Sequence, residues 1–157
     1  MADKVWGKFD GDRLEEIIEK GIPIVEKMGV KVLEMAPGRV SLRMPLSGNE
    51  NHIGIMYAGV LSVMAEMPGG ALFLTTFDAS RYVPIVKGMD IRFKRPATTD
   101  VFVIMEMDQD ETERIQKELE EQGKSDFVLA AEIKDANGQV VAVSRTDCQI
   151  RSMELSL

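Results

Sequence analysis

The chain has 157 residues, of which 45% are hydrophobic and 29% charged, a composition typical of a folded protein with one domain and a substantial core. Its formal net charge of −7 argues against bulk attraction to nucleic acid or to an anionic membrane surface. A single cysteine and a single histidine exclude an internal disulfide, a cysteine-based zinc site and a histidine-rich metal site, so we expect no metal and no cofactor.

The N-terminal part of the chain shows no targeting signal. No basic segment followed by an apolar run is present, so we expect no signal peptide and a cytoplasmic location. The sequence contains no run of roughly 18 apolar residues, so no membrane span is predicted. A helix is predicted over residues 13–20, with Asp10 or Asp12 as its cap. Pro23 follows its end, so residues 1–28 are expected to form a helix and an apolar connector.

The next two segments have the alternation of strands. Residues 30–35 and 39–44 flank a Pro37-Gly38 turn, which predicts a β-hairpin with Val40, Leu42 and Met44 on one face. A polar loop from residue 45 to 51 follows this hairpin. We expect it to lead directly into the most apolar part of the chain.

The apolar character of residues 57–76 predicts a long buried helix. Pro68 removes one helical hydrogen bond, and we expect a kink there rather than an end, because the segment stays apolar beyond it. One carboxylate, Glu66, stands inside this segment. A charged side chain is rarely buried unless another group pairs with it or the protein uses it. If the protein does chemistry, we expect it at Glu66.

Four further strands are predicted after this helix, at residues 82–93, 101–107, 127–133 and 140–150. The last two are joined by an Asn137-Gly138 hairpin turn, and Cys148 on the final strand is expected to be a core residue rather than a nucleophile. Between the second and third of these strands, residues 109–125 form a charged helical insertion with a narrow apolar stripe. We expect a solvated surface helix there, and a lid or an oligomer contact is the alternative.

Runs of strands around one apolar helix indicate a single α+β domain over residues 1–157. The sheet is expected to be mostly antiparallel, with its last four strands in meander-like order. Neither an internal repeat nor a low-complexity segment interrupts this order.

The entry to the central helix carries the most specific pattern in the chain. Asn51 is followed six residues later by Tyr57-Ala58-Gly59, and Glu66 lies nine residues after Tyr57. With these spacings, the chain resembles the hotdog-fold acyl-CoA thioesterases of the phenylacetate-pathway and 4-hydroxybenzoyl-CoA types. Those enzymes have Asn or Gln, then His-Gly-Gly, then Asp or Glu at the same positions. Of the His-Gly-Gly, only Gly59 is present here.

The resemblance implies an antiparallel β-sheet wrapped around one long central helix, a homodimer or homotetramer, and an active site at the dimer interface. It also implies hydrolysis of acyl-CoA thioesters. Glu66 would be the general base or the nucleophile, with Asn51 orienting the water or the carboxylate. The backbone N–H of Ala58, at the start of the helix beside Gly59, would stabilise the oxyanion. Tyr57 would replace the family histidine as a hydrogen-bond donor.

Basic residues on and after the long strand suggest a site for the phosphates of coenzyme A. The strongest candidates are Lys94 and Arg95, because residues 93–97 look like the strand-end segment of this family. Arg92 and Lys87 complete the cluster, which could equally be an ordinary solvated strand face. His52, beside Asn51, is expected to hold the loop or to contact substrate.

Two alternative functions follow from the same residues. The altered Tyr57-Ala58 turn is compatible with an acyl-CoA or lipid-binding protein that has lost catalysis. His52 and Glu66 are 14 residues apart, as in hydroxyacyl thioester dehydratases of the same fold. In those enzymes, however, the glycine precedes the carboxylate by five residues, whereas Gly59 precedes Glu66 by seven.

Overall fold

A computed structural model describes residues 11–155, with side chains from residue 13 onward. The elements follow one another as α1 (Gly11–Lys20), α2 (Pro23–Met28), β1 (Lys31–Ala36), β2 (Arg39–Met44), α3 (Ala58–Thr76), β3 (Tyr82–Phe93), β4 (Val101–Glu106), α4 (Gln109–Gln122), β5 (Lys124–Asp135) and β6 (Val140–Ser152). The strands form one six-stranded antiparallel sheet that wraps around α3. This arrangement confirms the predicted α+β hotdog fold.

The predicted β1–β2 hairpin is confirmed. Gly38 occupies the turn with a φ of 76°, which a residue with a Cβ rarely adopts. Val40, Leu42 and Met44 alternate along β2 and are fully buried against the core. Burial of this face fixes the register of the hairpin, since a slip by one residue would expose all three side chains.

The order of strands in the sheet is β1-β2-β4-β5-β6-β3. Strands β4, β5 and β6 form a meander, but β3 does not pair with β4 as a meander-like order would require. It pairs antiparallel with β6 and forms one edge of the sheet. The expected meander is therefore wrong for β3. Within residues 11–155, the outer edge of this 12-residue strand pairs with no other strand.

Helix α3 is the apolar helix that the sheet surrounds. It is continuous over 19 residues and passes through Pro68 without ending there. The sequence predicts no membrane span, but this helix is long and apolar enough to form one; in the structure it is the core helix of the sheet. Its buried side chains include Met64, Leu72 and Phe73, which pack under the strands.

The expected N-terminal connector contains a second helix, α2. Pro23 stands in its first turn, where the missing N–H is not needed, and Gly29 ends it in the left-handed conformation. Helix α1 is joined to β1 through Glu19, whose carboxylate accepts hydrogen bonds from Lys31 Nζ at 2.7 Å and from Val32 N at 3.0 Å. The predicted caps Asp10 and Asp12 lie outside the residues whose side chains the structure describes.

The charged insertion between β4 and β5 forms α4, as predicted. Asp108 caps its N-terminus by accepting a hydrogen bond from Glu111 N at 2.8 Å, and Gly123 ends it in the left-handed conformation. Ile115 and Leu119 are buried against β5, and the other face is solvated. Strand β5 begins at Lys124, so the insertion is shorter than the predicted 109–125.

Candidate active site

Glu66 lies in the middle of α3, where its side chain is exposed to solvent within the single protomer rather than deeply buried. Among residues 11–155 it forms no hydrogen bond and no ion pair. Apolar groups nevertheless surround the carboxylate, and this desolvation raises its pKa above the ordinary value of 4.5. A carboxylate with a raised pKa and without a structural partner is a candidate for proton transfer.

Two adjoining clefts meet at Glu66. The first, of about 260 Å³, is lined by α3 and by residues of β3, β4, β5 and β6. The second, of about 320 Å³, lies between α3 and α1. Both clefts are lined by Glu66, Gly70, Phe73 and Pro84. Among the described residues that line them, Glu66 is the only carboxylate, so it is the one acidic side chain that a group bound in either cleft could meet.

The N-terminus of α3 presents unpaired backbone donors. Tyr57 is the N-cap residue, and its own N–H donates to the carbonyl of Asn49 at 2.9 Å. The N–H groups of Ala58 and Gly59 donate to no acceptor within residues 11–155. Free N–H groups at the positive end of a helix favour a negatively charged oxygen. The structure therefore leaves the predicted oxyanion donor of Ala58 available.

Asn51 organises the loop that precedes α3. Its Oδ1 accepts hydrogen bonds from Ile53 N at 3.0 Å and from Ile55 N at 3.3 Å. The side-chain carbonyl is thus occupied by the loop itself, and no contact with Glu66 of the same protomer is formed. His52, next in the chain, is exposed. Within the described part of the chain, its ring forms no hydrogen bond.

The predicted basic cluster divides into paired and unpaired cations. Lys87 forms an ion pair with Asp126 at 2.8 Å, and Arg92 forms one with Asp90 at 3.1 Å. Lys94 has no side-chain partner among the described residues. Arg95 donates a hydrogen bond to Gln139, a neutral acceptor. Their positive charges are therefore not neutralised by an acidic partner.

The segment that carries Lys94 and Arg95 lies beside the entry to α3. The carbonyl of Ala97 accepts a hydrogen bond from Met56 N at 2.9 Å, directly before the N-cap residue. This contact brings the end of β3 and the start of α3 together. The structure thus places the backbone that follows Lys94 and Arg95 beside the start of α3.

Cys148 lines the first cleft together with Thr146. Burial raises the pKa of the Cys148 thiol to about 11, with smaller effects from the negative charges of Asp147 and Glu66. The thiol is therefore protonated at neutral pH and is a poor nucleophile, which agrees with the expected core role. Thr146 has a buried hydroxyl that forms no hydrogen bond with any described residue.

Several residues of the clefts were missed by the sequence reading. Gly70 follows Glu66 by four positions, so it shares the helix face of Glu66. That spacing was a readable signal. Ile17 of α1 and Ile22 of the turn after it also line a cleft. The sequence does not predict this, because it depends on how α1 packs against α3.

Known proteins resemble this chain along most of its length. The family described as Domain of unknown function (DUF4442) matches residues 12–150. The Pseudomonas aeruginosa protein PA5026, described as a protein of unknown function and a probable thioesterase, is 44% identical. Its structure matches over 92% of this chain and 97% of that chain, with a TM-score of 0.88.

More distant structures share the fold. The Chlorobaculum tepidum protein OLEI01261, of unknown function, is 18% identical, with 89% of this chain and 93% of that chain covered and a TM-score of 0.79. Thioesterase HI1161 of Haemophilus influenzae is 14% identical, with 94% and 95% covered and a TM-score of 0.72. A comparison with curated proteins finds no match.

Proposed function

The chain belongs to the DUF4442 family, within the hotdog-fold thioesterase superfamily, and on that basis we propose that it hydrolyses acyl-CoA thioesters with Glu66 as its catalytic carboxylate. The observation that carries the proposal is the position of Glu66, unpaired within residues 11–155 and placed where two clefts meet. The 44% identical Pseudomonas aeruginosa protein, a probable thioesterase, supports the same reaction class.

Hydrolysis breaks the bond between the acyl carbon and sulfur and adds water across it. In one route, Glu66 removes a proton from a water molecule as the oxygen attacks the acyl carbon. In the other, the carboxylate itself attacks to form an anhydride, which water then cleaves. In both routes the thiolate of coenzyme A leaves and takes up a proton. Both require an ionised Glu66, so activity should fall as pH drops below its raised pKa.

The N–H of Ala58 is the proposed donor to the oxygen that becomes negative in the transition state. Ala58 and Glu66 are eight residues apart on α3, which separates their Cα atoms by about 12 Å along the axis and by about 80° around it. A directly attacked carbonyl spans only about 7 Å from donor to nucleophile. This separation favours a site in which Ala58 of one protomer and Glu66 of another act on one substrate.

The free edge of β3 supports such a dimer. Val86, Met89 and Phe93 on this strand are 47%, 39% and 51% exposed, although they are apolar. Unpaired backbone groups and apolar side chains on one edge favour pairing with a second copy. The neighbouring β6 carries two buried hydroxyls, of Ser144 and Thr146, that have no hydrogen-bond partner among the described residues.

Coenzyme A is the proposed leaving group because the segment that carries two unneutralised cations contacts the backbone at the entry to α3. Lys94 and Arg95 are exposed and can contact phosphate oxygens, Arg95 in a bidentate manner. Lys87 and Arg92 are held by Asp126 and Asp90, so they are weaker candidates.

A non-catalytic acyl-CoA-binding protein is the second candidate. The observation in its favour is Tyr57, whose side chain forms no cap hydrogen bond and is 57% exposed at the position of the family histidine. A dehydratase is less favoured, because His52 lies on an exposed loop and makes no contact with Glu66 within the described protomer.

A free-thiol release assay over a panel of acyl-CoA thioesters tests the proposal. Release by the wild-type protein supports hydrolysis, and the panel identifies the preferred acyl group. Binding of acyl-CoA by calorimetry without release would favour the binding protein instead. Loss of a water molecule from hydroxyacyl-CoA, measured by absorbance of the enoyl product, would favour a dehydratase.

A further inference from the structure

The cleft between α1 and α3 is an apolar groove with matched walls. From α3, its lining is Glu66, Met67, Gly70, Phe73 and Leu74, and from α1 and the turn after it, the lining is Ile17, Ile18, Gly21 and Ile22. Each set follows the spacing of one helix face. Pro84 of β3 contributes the remaining lining residue. Glu66 is the one charged group in this lining.

The space beside α3 is open at Gly70, one of the residues that line the groove. A Cβ added at Gly70 would meet no atom within 4 Å, so open space lies directly above its Cα. Glycine inside a helix costs about 0.5–1 kcal/mol of stability relative to alanine. At this position, no close contact requires that cost, and no positive φ requires it either. Glycine at position 70 leaves free the part of the groove that a larger side chain would occupy.

We propose that this groove holds the acyl chain of the substrate, and that Gly70 together with the α1 wall determines which chain lengths are accepted. The inference rests on the proposed thioesterase function and assigns its acyl subsite. The groove begins at Glu66, so an acyl group whose thioester lies at this carboxylate continues directly along it. An aliphatic chain matches the lining, since the walls away from Glu66 are apolar.

The length of the groove sets the size of the acyl group. Along α3, its lining extends from Glu66 to Leu74, eight residues, which corresponds to about 12 Å. An extended chain advances roughly 1.2 Å per bond, so this length accommodates saturated acyl groups of roughly eight to ten carbons. The partly exposed Ile22, at 46%, lies in the turn that follows α1.

The position of α1 is fixed by contacts outside the groove. Glu19 bonds to Lys31 and to the backbone of Val32 on β1. The wall that faces Gly70 is therefore held in place without bound substrate. A preformed apolar groove strengthens binding by up to about fourfold for each methylene that it buries.

Calorimetry on the Glu66→Gln protein tests this inference without turnover. The probes are butyryl-, octanoyl-, decanoyl- and palmitoyl-CoA. Affinity should rise with chain length up to decanoyl and then stop rising. Adding Gly70→Leu, whose side chain fills the groove, should lower the decanoyl-to-butyryl affinity ratio by about tenfold or more, the effect of displacing two buried methylenes.

Lys117→Leu is the matched control, because it adds the same side chain at an exposed position of α4, and it should leave that ratio at its original value. If Gly70→Leu fails to fold, Gly70→Ala is the second variant, since alanine favours the helix. Its methyl group also occupies part of the groove, so it should shift the ratio in the same direction. An unchanged ratio in the Gly70 variant, or an affinity independent of chain length, would overturn the inference. Because binding is measured, a protein that binds as expected but releases no thiol would refute only the proposed hydrolysis.

Discussion

A Cβ added at Gly59 would lie 2.5 Å from the Cε1 atom of Tyr57. The phenol ring of Tyr57 thus extends across the backbone of the first turn of α3. Gly59 has no positive φ, so what glycine provides here is space for the ring, which would have to move to admit a Cβ. This contact gives a physical reason why a glycine accompanies Tyr57, although the rest of the His-Gly-Gly pattern is absent.

We predict that Gly59→Ala and Tyr57→Ala are energetically coupled. In the wild-type background, the added methyl displaces the ring, which offsets the better helix propensity of alanine. With Tyr57→Ala already present, the same methyl meets no ring, so Gly59→Ala should stabilise the protein. Urea unfolding of the two single variants, the double variant and the wild type should give a coupling of about 0.5 kcal/mol or more. Additive effects would show that the ring does not restrict position 59.

Ala58→Pro removes the proposed oxyanion donor with little expected effect on the fold. Proline is favoured at the first helical position, and Tyr57, with φ −63° and ψ 135°, has the backbone conformation preferred before proline. We predict a fall in kcat of about 100-fold or more, with the melting temperature close to that of the wild type. A variant that folds and keeps wild-type kcat would exclude Ala58 as the donor.

Mixing this variant with Glu66→Gln tests whether two protomers share one site. In a heterodimer, one of the two shared sites would combine an intact Ala58 with an intact Glu66. Refolding an equal mixture should therefore restore about a quarter of wild-type activity if subunits pair at random. No recovery from a mixture that demonstrably forms heterodimers would place both groups in one protomer.

Asn51→Ala should lower kcat/KM by at least about tenfold, an effect of about 1.4 kcal/mol. Two causes can be separated by Asn51→Asp, which keeps the oxygen that accepts from Ile53 N and Ile55 N but loses the amide donor. If Asn51 acts only through the loop, the aspartate variant should recover activity. If its amide orients water or substrate, the aspartate variant should remain impaired. Full activity of Asn51→Ala would exclude both roles.

Charge reversal at Lys94 and Arg95 should raise KM for acyl-CoA more than for a short thioester that lacks the nucleotide. The reason is the loss of contacts to phosphate, which only the first substrate contains. Arg92→Glu is the matched control, since Arg92 is already paired with Asp90, and its effect should be smaller. Steady-state kinetics with both substrates measure the difference. Equal increases in KM for the two substrates would discard the phosphate site.

The raised pKa of Glu66 makes a prediction about stability. The folded protein holds this proton to higher pH than the unfolded chain, because the apolar clefts disfavour the charged form. The contribution of Glu66 to the free energy of unfolding is therefore fully present below pH 4.5. It is lost as the pH rises from 4.5 through the pKa of Glu66 in the folded protein. Glu66→Gln should be modestly more stable than wild type at neutral pH, with the difference disappearing in acid. Equal melting temperatures at neutral pH would contradict the raised pKa.

Local sequence patterns predicted most of the elements because their determinants are close in the chain. The Asn137-Gly138 turn formed as expected, with Gly138 at a φ of 78°. Helix α2 was missed although Pro23 and Gly29, at its two ends, are a readable signal for a short helix. The position of β3 beside β6 was not readable, since strand order depends on pairing between distant segments.

The candidate site was predicted in part. The sequence predicts Glu66 as a site residue because it is the lone carboxylate of an apolar segment, and its spacing from Asn51 and Tyr57 carries the family resemblance; the structure places Glu66 on the continuous helix α3. The sequence did not show that the carboxylate is exposed in the protomer, nor that Asn51 uses its side-chain oxygen in its own loop. The α1 wall of the groove results from tertiary packing, which no periodicity within α1 specifies.

The most direct test of the account is kcat for octanoyl-CoA hydrolysis by wild type and Glu66→Gln, measured beside the affinity of each protein for the substrate. The substitution removes the charge and the basic oxygen but keeps the size of the side chain. We predict a loss of about 1,000-fold or more in kcat, with affinity changed only slightly, because a catalytic carboxylate acts chiefly in the transition state. A Glu66→Gln protein that retains the wild-type kcat would contradict the central claim that Glu66 performs the hydrolysis.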